Sequence, residues 1–121
     1  MSRSILDEAH IHPAIRGLVS NNHRDLVAEV QAAVAAHAVV VVGMTLNHNV
    51  PIARKLLDGL GTPYKYLGYG GYFSMWRARN ALKMWTGWPT FPMIFVKGVL
   101  IGGATDLQQL IKSGEFATMV A

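Results

Sequence analysis

The chain is 121 residues long, 51% of its residues are hydrophobic, and its formal net charge is +4 at pH 7. A chain of this length supports one domain with a single core, and its scattered cations argue against nucleic-acid binding. Because the chain contains no cysteine, a disulfide scaffold, a thiolate metal site and a cysteine nucleophile are all excluded.

The chain begins with a leader and a first amphipathic helix. Residues 1–20 show no sustained periodicity, so we expect a partly ordered leader followed by a domain over residues 21–121. Apolar residues recur at steps of three and four from 26 to 34, a pattern that predicts a helix. Asn21 or Asn22 is available as its N-cap.

The next segment predicts strand, helix and strand. The β-branched run over 38–42 is typical of a strand buried on both faces. A loop follows, and then Pro51 fits the first turn of a helix that ends at Gly61. Residues 64–67 predict a short second strand.

The remaining pattern predicts a helix, a β-hairpin and a last helix. Gly114 ends the last helix. The expected bounds are a helix over 74–85 capped by Ser74, strands over 93–96 and 99–101, and a final helix that opens at Thr105 or Asp106. This element order predicts an α/β fold with a four-stranded mixed sheet flanked by helices, whose first strand-helix-strand unit is parallel and right-handed.

The hairpin region carries the most specific motif of the chain. It reads Trp88-Pro89-Thr90-Phe91-Pro92, followed by a Val-Lys-Gly turn, Gly102-Gly103 and Ser113-Gly114-Glu115. With Lys55-Leu56-Leu57 running to Leu60-Gly61 upstream, residues 38 to 116 resemble the glutaredoxins, above all their monothiol branch. The resemblance implies a thioredoxin-like (glutaredoxin) fold, here with an N-terminal helical extension.

The same resemblance identifies a degenerate active site. Counted back from Leu60-Gly61, Asn47 stands where the family has its nucleophilic cysteine, and Met44 stands where it has a lysine. Disulfide exchange requires a thiolate that attacks sulfur, and cluster ligation needs the same cysteine. We therefore predict no catalytic residue, no iron–sulfur cluster and no thiol–disulfide oxidoreductase activity. The degenerate loop comprises Met44, Thr45, Asn47, His48, Asn49 and Val50.

By resemblance, part of a glutathione site is retained. Arg79 would hold the glycine carboxylate with its planar guanidinium, although a solvated helix arginine is the alternative. The backbone of Phe91 would pair with the cysteinyl part, and the 103–106 helix start would cradle the γ-glutamyl carboxylate. Thr105 stands where the family has an aspartate and Asp106 is displaced by one, so either is alternatively an N-cap. The predicted glutathione-binding residues are Arg79, Thr90, Phe91, Pro92, Gly103, Ala104, Thr105 and Asp106.

Three functions fit this pattern. The favoured one is a glutathione- or protein-binding module without redox turnover. The second is a transferase-like enzyme in which Thr45 or His48 assists the thiol of bound glutathione. The third is a structural protein that contacts a protein partner or a second copy of itself through its exposed aromatics. The aromatic segment comprises Tyr69, Tyr72, Phe73 and Trp76.

Metal and membrane sites are not expected. His10 and His12 share one side of an extended segment but have no evident third ligand. The apolar run over 38–42 is too short to cross a bilayer, and no basic segment followed by a long apolar stretch opens the chain. We expect a soluble cytoplasmic protein.

Overall fold

A computed structural model describes residues 3–71 and 73–121, and its four-stranded sheet confirms the predicted architecture. The strands are β1 (Val39–Gly43), β2 (Lys65–Gly68), β3 (Met93–Val96) and β4 (Val99–Gly102), in the order β2-β1-β3-β4. β1 pairs parallel with β2 and antiparallel with β3, and β3 pairs antiparallel with β4. The central position of β1 explains its continuous β-branched sequence, since both of its faces are covered.

The helices largely follow the predicted order. They are α1 (Pro13–Ser20), α2 (Arg24–Ala36), α3 (Asn49–Gly59), α4 (Trp76–Thr86), α5 (Ala104–Ser113) and α6 (Glu115–Val120), with a 3-10 turn over Glu8–His10. Within residues 3–71 and 73–121, no helix is long and apolar enough to cross a bilayer.

The start of α2 corrects the sequence interpretation, and the helix in the leader agrees with the predicted N-terminal helical extension. The N-cap of α2 is His23 in a left-handed conformation, without a side-chain cap hydrogen bond, so the assignment to Asn21 or Asn22 was wrong. In the leader, α1 begins at Pro13, and the His12 Nδ1 atom accepts a hydrogen bond from Ala14 N at 3.0 Å. The leader therefore contains a capped helix, while the proposed boundary at residue 21 stays a prediction.

The side chains of β1 alternate between two cores. Val40 and Val42 pack with Val30 of α2 and Leu82 of α4 on one face. On the other face, Val39 and Val41 pack with residues of α3, α5 and α6, namely Ala53, Leu57, Leu107 and Phe116. Because each fully buried valine contributes roughly 2 kcal/mol, this strand is a major source of stability and fixes the sheet register.

The loops that carry the predicted functional residues lie together at one end of the strands. The register pairs Gly43 with Gly68, Val42 with Met93, and Ile94 with Gly102. β1, β2 and β4 consequently end at the edge where β3 begins. The segments that follow Gly43, Gly68 and Gly102 therefore meet the segment that precedes Met93.

Candidate functional site

Asn47 caps helix α3. Its Oδ1 atom accepts hydrogen bonds from the backbone N–H groups of Asn49, at 2.9 Å, and Val50, at 3.2 Å. Both partners are donors, so the amide oxygen must face the helix and the amide nitrogen must face away from it. The side chain at the position predicted for the family's cysteine thus satisfies two of the free donors at the helix N-terminus. Helix α3 starts at Asn49 with His48 as its N-cap residue, and Pro51 lies in its first turn as predicted. The cap by the Asn47 side chain was not predicted.

The residues that precede Asn47 are held by neighbouring segments. Met44 is buried in one cluster with Tyr69 and Phe91, so an uncharged thioether occupies the position predicted for the family's lysine. The backbone N–H and the hydroxyl of Thr45 both donate to the carbonyl of Gly70, at 2.8 and 3.1 Å. The Thr45 proton is therefore engaged, which weakens its assignment as a helper of a ligand thiol.

The other members of the degenerate loop differ in exposure. His48 and Asn49 are exposed, and Val50 is buried. The methyl groups of Val50 lie 3.0 Å from the position that a Cβ atom on Gly43 would occupy. Any side chain at residue 43 would push α3 away from β1, which explains the glycine at the end of this strand.

Arg79 is a buried cation that ties α4 to the preceding loop. Its side chain is only 6% exposed, and Nη1 donates to the carbonyls of Tyr69, at 2.8 Å, and Ser74, at 2.7 Å. The alternative of a solvated helix arginine was wrong, because a buried charge requires such partners. Its role as a ligand for a carboxylate stays a prediction.

Tyr69 is the centre of the same loop. Its backbone N–H donates to Gly43 O at 2.9 Å, and its hydroxyl donates to Glu29 Oε1 at 2.5 Å. Burial, followed by the contact with Glu29, raises the pKa of Tyr69 far above its usual range. At 5% exposure Tyr69 belongs to the core and not to the predicted aromatic surface, whereas Phe73 and Trp76 are exposed. Tyr72 lies outside the described residues.

The entrance of β3 combines a buried backbone turn with a nearby cation. The Phe91–Pro92 peptide bond is cis, both residues are buried, and Thr90 is exposed. The ammonium group of Lys83 lies 5.8 Å from the centroid of the Phe91 ring. The sequence interpretation did not include Lys83, although it lies one helical turn after Arg79 and therefore on the same side of α4.

The start of α5 forms the second part of the predicted cradle. Gly103 is the N-cap and α5 starts at Ala104, so the prediction that Thr105 or Asp106 caps and opens this helix was wrong. The N–H of Gly103 donates to Asp106 Oδ2 at 2.9 Å, which makes Asp106 the third helical residue of a capping box. Gly102 has a φ of 111°, and a Cβ atom there would collide with the Asp106 carboxylate. Ala104 is buried and Thr105 is exposed.

An unpartnered indole nitrogen lies between the two parts of this cradle. A Cβ atom added to Gly103 would lie 3.5 Å from Pro92 O and 3.9 Å from Trp88 Nε1. The Nε1 atom is buried and has no hydrogen-bond partner in residues 3–71 and 73–121. Buried donors are normally paired. The structure therefore leaves one buried donor unpaired beside Gly103.

Metal binding finds no support at this edge of the sheet. Within the part of the chain that the structure describes, no three histidine or acidic side chains lie close enough to hold a metal ion.

Comparison with known proteins places the chain among glutaredoxins. A glutaredoxin-like protein of Dictyostelium discoideum is 44% identical over 100 residues, which cover 83% of this chain and 81% of that protein. The mitochondrial glutaredoxin-2 of Pongo abelii is 33% identical over 119 residues, which cover 88% of this chain and 71% of that protein. No protein-family model matches the chain.

Solved structures confirm the thioredoxin-like fold. A mutated buckwheat glutaredoxin superposes with a TM-score of 0.71 at 23% identity and covers 84% of this chain and 92% of its own. Buckwheat glutaredoxin in complex with glutathione also reaches 0.71, at 24% identity, and covers 83% of this chain and 91% of its own.

Proposed function

Because the chain belongs to the glutaredoxin family and has no cysteine, we propose that it binds glutathione without carrying out thiol–disulfide exchange of its own. The observation that carries this proposal is the hydrogen bonding of Asn47. Its side-chain amide occupies the helix N-terminus at which the family's thiol stands, while the neighbouring cradle segments remain in contact with one another.

The proposed absence of exchange chemistry follows from the need for a nucleophilic sulfur. In the exchange step a thiolate donates an electron pair to one sulfur of a disulfide, and the other sulfur leaves as a thiolate. The Asn47 amide has no comparable electron pair to offer, and its oxygen already accepts two N–H groups. A ligand's own thiol is then the only sulfur nucleophile in the complex.

The cradle is suited to a γ-glutamyl group. The start of α5 favours a carboxylate because its N–H groups and helix dipole are positive. Gly103 has no side chain to separate its backbone from Pro92 O and from the unpaired, buried indole N–H of Trp88. Binding of glutathione by buckwheat glutaredoxin, which has the same fold, supports this use of the cradle.

Lys83 is the cation that we propose for the ligand's glycine carboxylate. Arg79 directs Nη1 at two main-chain carbonyls and is almost fully covered. Lys83 lies beside Phe91, whose backbone is the expected partner of the neighbouring cysteinyl unit, and its flexible stem can follow a ligand.

A calorimetric titration with reduced glutathione tests the proposal. Wild-type protein should bind in the millimolar range, and Lys83→Met should weaken binding about fivefold, because a partly exposed ion pair contributes about 1 kcal/mol. Lys65→Met is the matched control, since Lys65 is the first residue of β2 and lies at the end of the sheet away from the proposed site. Absence of binding heat at roughly 10 mM ligand, a concentration that would reveal millimolar affinity, would overturn the proposed function.

A further inference from the structure

Two loops in contact expose large apolar side chains beside the degenerate active site. Thr45 donates two hydrogen bonds to Gly70 O, and a Cβ atom on Gly71 would lie 2.7 Å from Thr45 Oγ1. The first loop exposes Leu46, at 79%, and the second exposes Phe73 completely. We define the loop-pair surface as Leu46, Phe73, Met75 and Trp76.

Two members of this surface are held in an unfavourable backbone conformation. Leu46 has a φ of 60° and Met75 a φ of 55°, both in the left-handed region. Residues with a Cβ atom lose roughly 1–2 kcal/mol there. Both side chains are exposed, so burial in this chain's core does not offset the cost. Strained residues of this kind concentrate at binding sites.

The exposed charge next to the aromatic rings of this surface is a cation. The guanidinium of Arg77 lies over the Trp76 ring, 5.1 Å from its centroid. Residues 59–105 contain no aspartate or glutamate. On the neighbouring helix α2, Glu29 accepts the hydroxyl of Tyr69, and Asp25 adjoins Leu26, which lines a cavity with Trp76 and Arg77. An approaching carboxylate would therefore meet Arg77 next to an aromatic ring.

We infer that the loop-pair surface is a docking site for a partner-protein segment in which an aliphatic or aromatic anchor is flanked by carboxylates. The anchor would pack on Phe73 and Trp76, and the carboxylates would pair with Arg77. Aromatic and arginine side chains are the residue types that dominate binding energy at protein interfaces. The docking site uses none of the cradle residues, so it stands independently of glutathione binding.

Panning of a random dodecapeptide display library on the wild-type protein tests this site. Enriched peptides should combine Asp or Glu with Leu, Ile, Phe or Trp. The affinity for a synthetic copy of an enriched peptide should fall at least about tenfold in the double variant Phe73→Ser/Trp76→Ser and in Arg77→Glu, since hot-spot residues contribute 2 kcal/mol or more. Val99→Ser is the control, because Val99 is 56% exposed, against 53% for Trp76, but lies on β4. It should leave affinity unchanged.

Four results would overturn the docking site. They are a failure to enrich any peptide, enrichment of basic peptides, affinity that the three surface substitutions do not change, and displacement of the peptide by a short oligouridylate. Sedimentation that shows a dimer lost in Phe73→Ser/Trp76→Ser would assign the surface to a second copy of the chain instead. Circular dichroism of each variant establishes that it is folded.

Discussion

Asn47 accounts for both what the site has lost and how the site remains ordered. The side-chain amide cannot attack a disulfide, yet it accepts two backbone N–H groups at the start of α3. A thiolate at this position would benefit from the same donors, so asparagine satisfies the helix start without supplying a sulfur nucleophile.

Replacing Asn47 by alanine should destabilise the protein by about 1 kcal/mol, because two N–H groups at a helix start lose their acceptor. Urea unfolding measures this change. Asn47→Asp should retain most of the stability, since its carboxylate also accepts both hydrogen bonds and interacts favourably with the helix dipole. His48→Ala is the control, because His48 makes no side-chain cap hydrogen bond to α3. Equal stability of Asn47→Ala and wild type would contradict the capping role.

Sequence reasoning did not predict all the contacts of the residues assigned to this site. The assignment of Asn47 to the family's nucleophile position rests on the spacing to Leu60-Gly61 and stays a prediction. Sequence reasoning could not predict that Arg79 is buried, since the partners of Arg79 are main-chain carbonyls of Tyr69 and Ser74. The positions of these carbonyls depend on the path of the loop, which the residue types alone do not determine.

At the level of elements, the segment between β2 and α4 organises the site. Tyr69 links it to β1 and α2, Arg79 links it to α4, and Thr45 links it to the loop that carries Asn47. The segment therefore helps to position the degenerate loop through its hydrogen bonds to Thr45.

This segment should give the protein an alkaline instability. The pKa of Tyr69 is raised above its ordinary value of 10.0, by burial and by the hydrogen bond to Glu29. The folded protein keeps this proton after the unfolded chain has lost it, so stability is complete below pH 10 and falls as the pH rises further. The free energy of unfolding in urea, measured from about pH 8 to about pH 11, should show this fall.

Tyr69→Phe should be less stable at about pH 8 and should lose much of the alkaline slope. Tyr66→Phe is the control, because Tyr66 lies on β2 and its hydroxyl is not the one bonded to Glu29. An unchanged slope in Tyr69→Phe would show that this hydroxyl is not the group responsible.

The hydrophobic pattern of the sequence predicted the strands correctly, but it did not predict the residues that cap the helices. The β-branched run and the hairpin were confirmed within a residue or two, since burial and turns dominate there. Ser74 was wrong as the cap of α4, which has Met75 as its N-cap. The Ser74 hydroxyl instead accepts from Gly71 N at 3.1 Å, and its carbonyl accepts from Arg79. Local hydrogen bonds of this kind compete with capping.

On the scale of the whole molecule, the chain retains the glutaredoxin fold and has lost its nucleophile. Two separate surfaces are proposed at this end of the sheet, the glutathione cradle at the start of α5 and the loop-pair surface. The cytoplasmic location stays a prediction, and one relative is a mitochondrial glutaredoxin. The leader is in contact with the domain, because Arg3 donates to Thr86 O at 2.9 Å.

The most direct test of a kept cradle with a lost nucleophile is the reaction of Asn47→Cys with oxidised glutathione, followed by intact-mass spectrometry. The introduced thiolate would attack one ligand sulfur, form the mixed disulfide and release one glutathione thiolate. We predict a rate at least about tenfold above that of an unfolded cysteine peptide, because the helix N-terminus favours the thiolate and the cradle positions the ligand. The additional substitution Lys83→Met should slow the formation of the mixed disulfide. A folded Asn47→Cys protein that reacts no faster than the peptide would contradict the account.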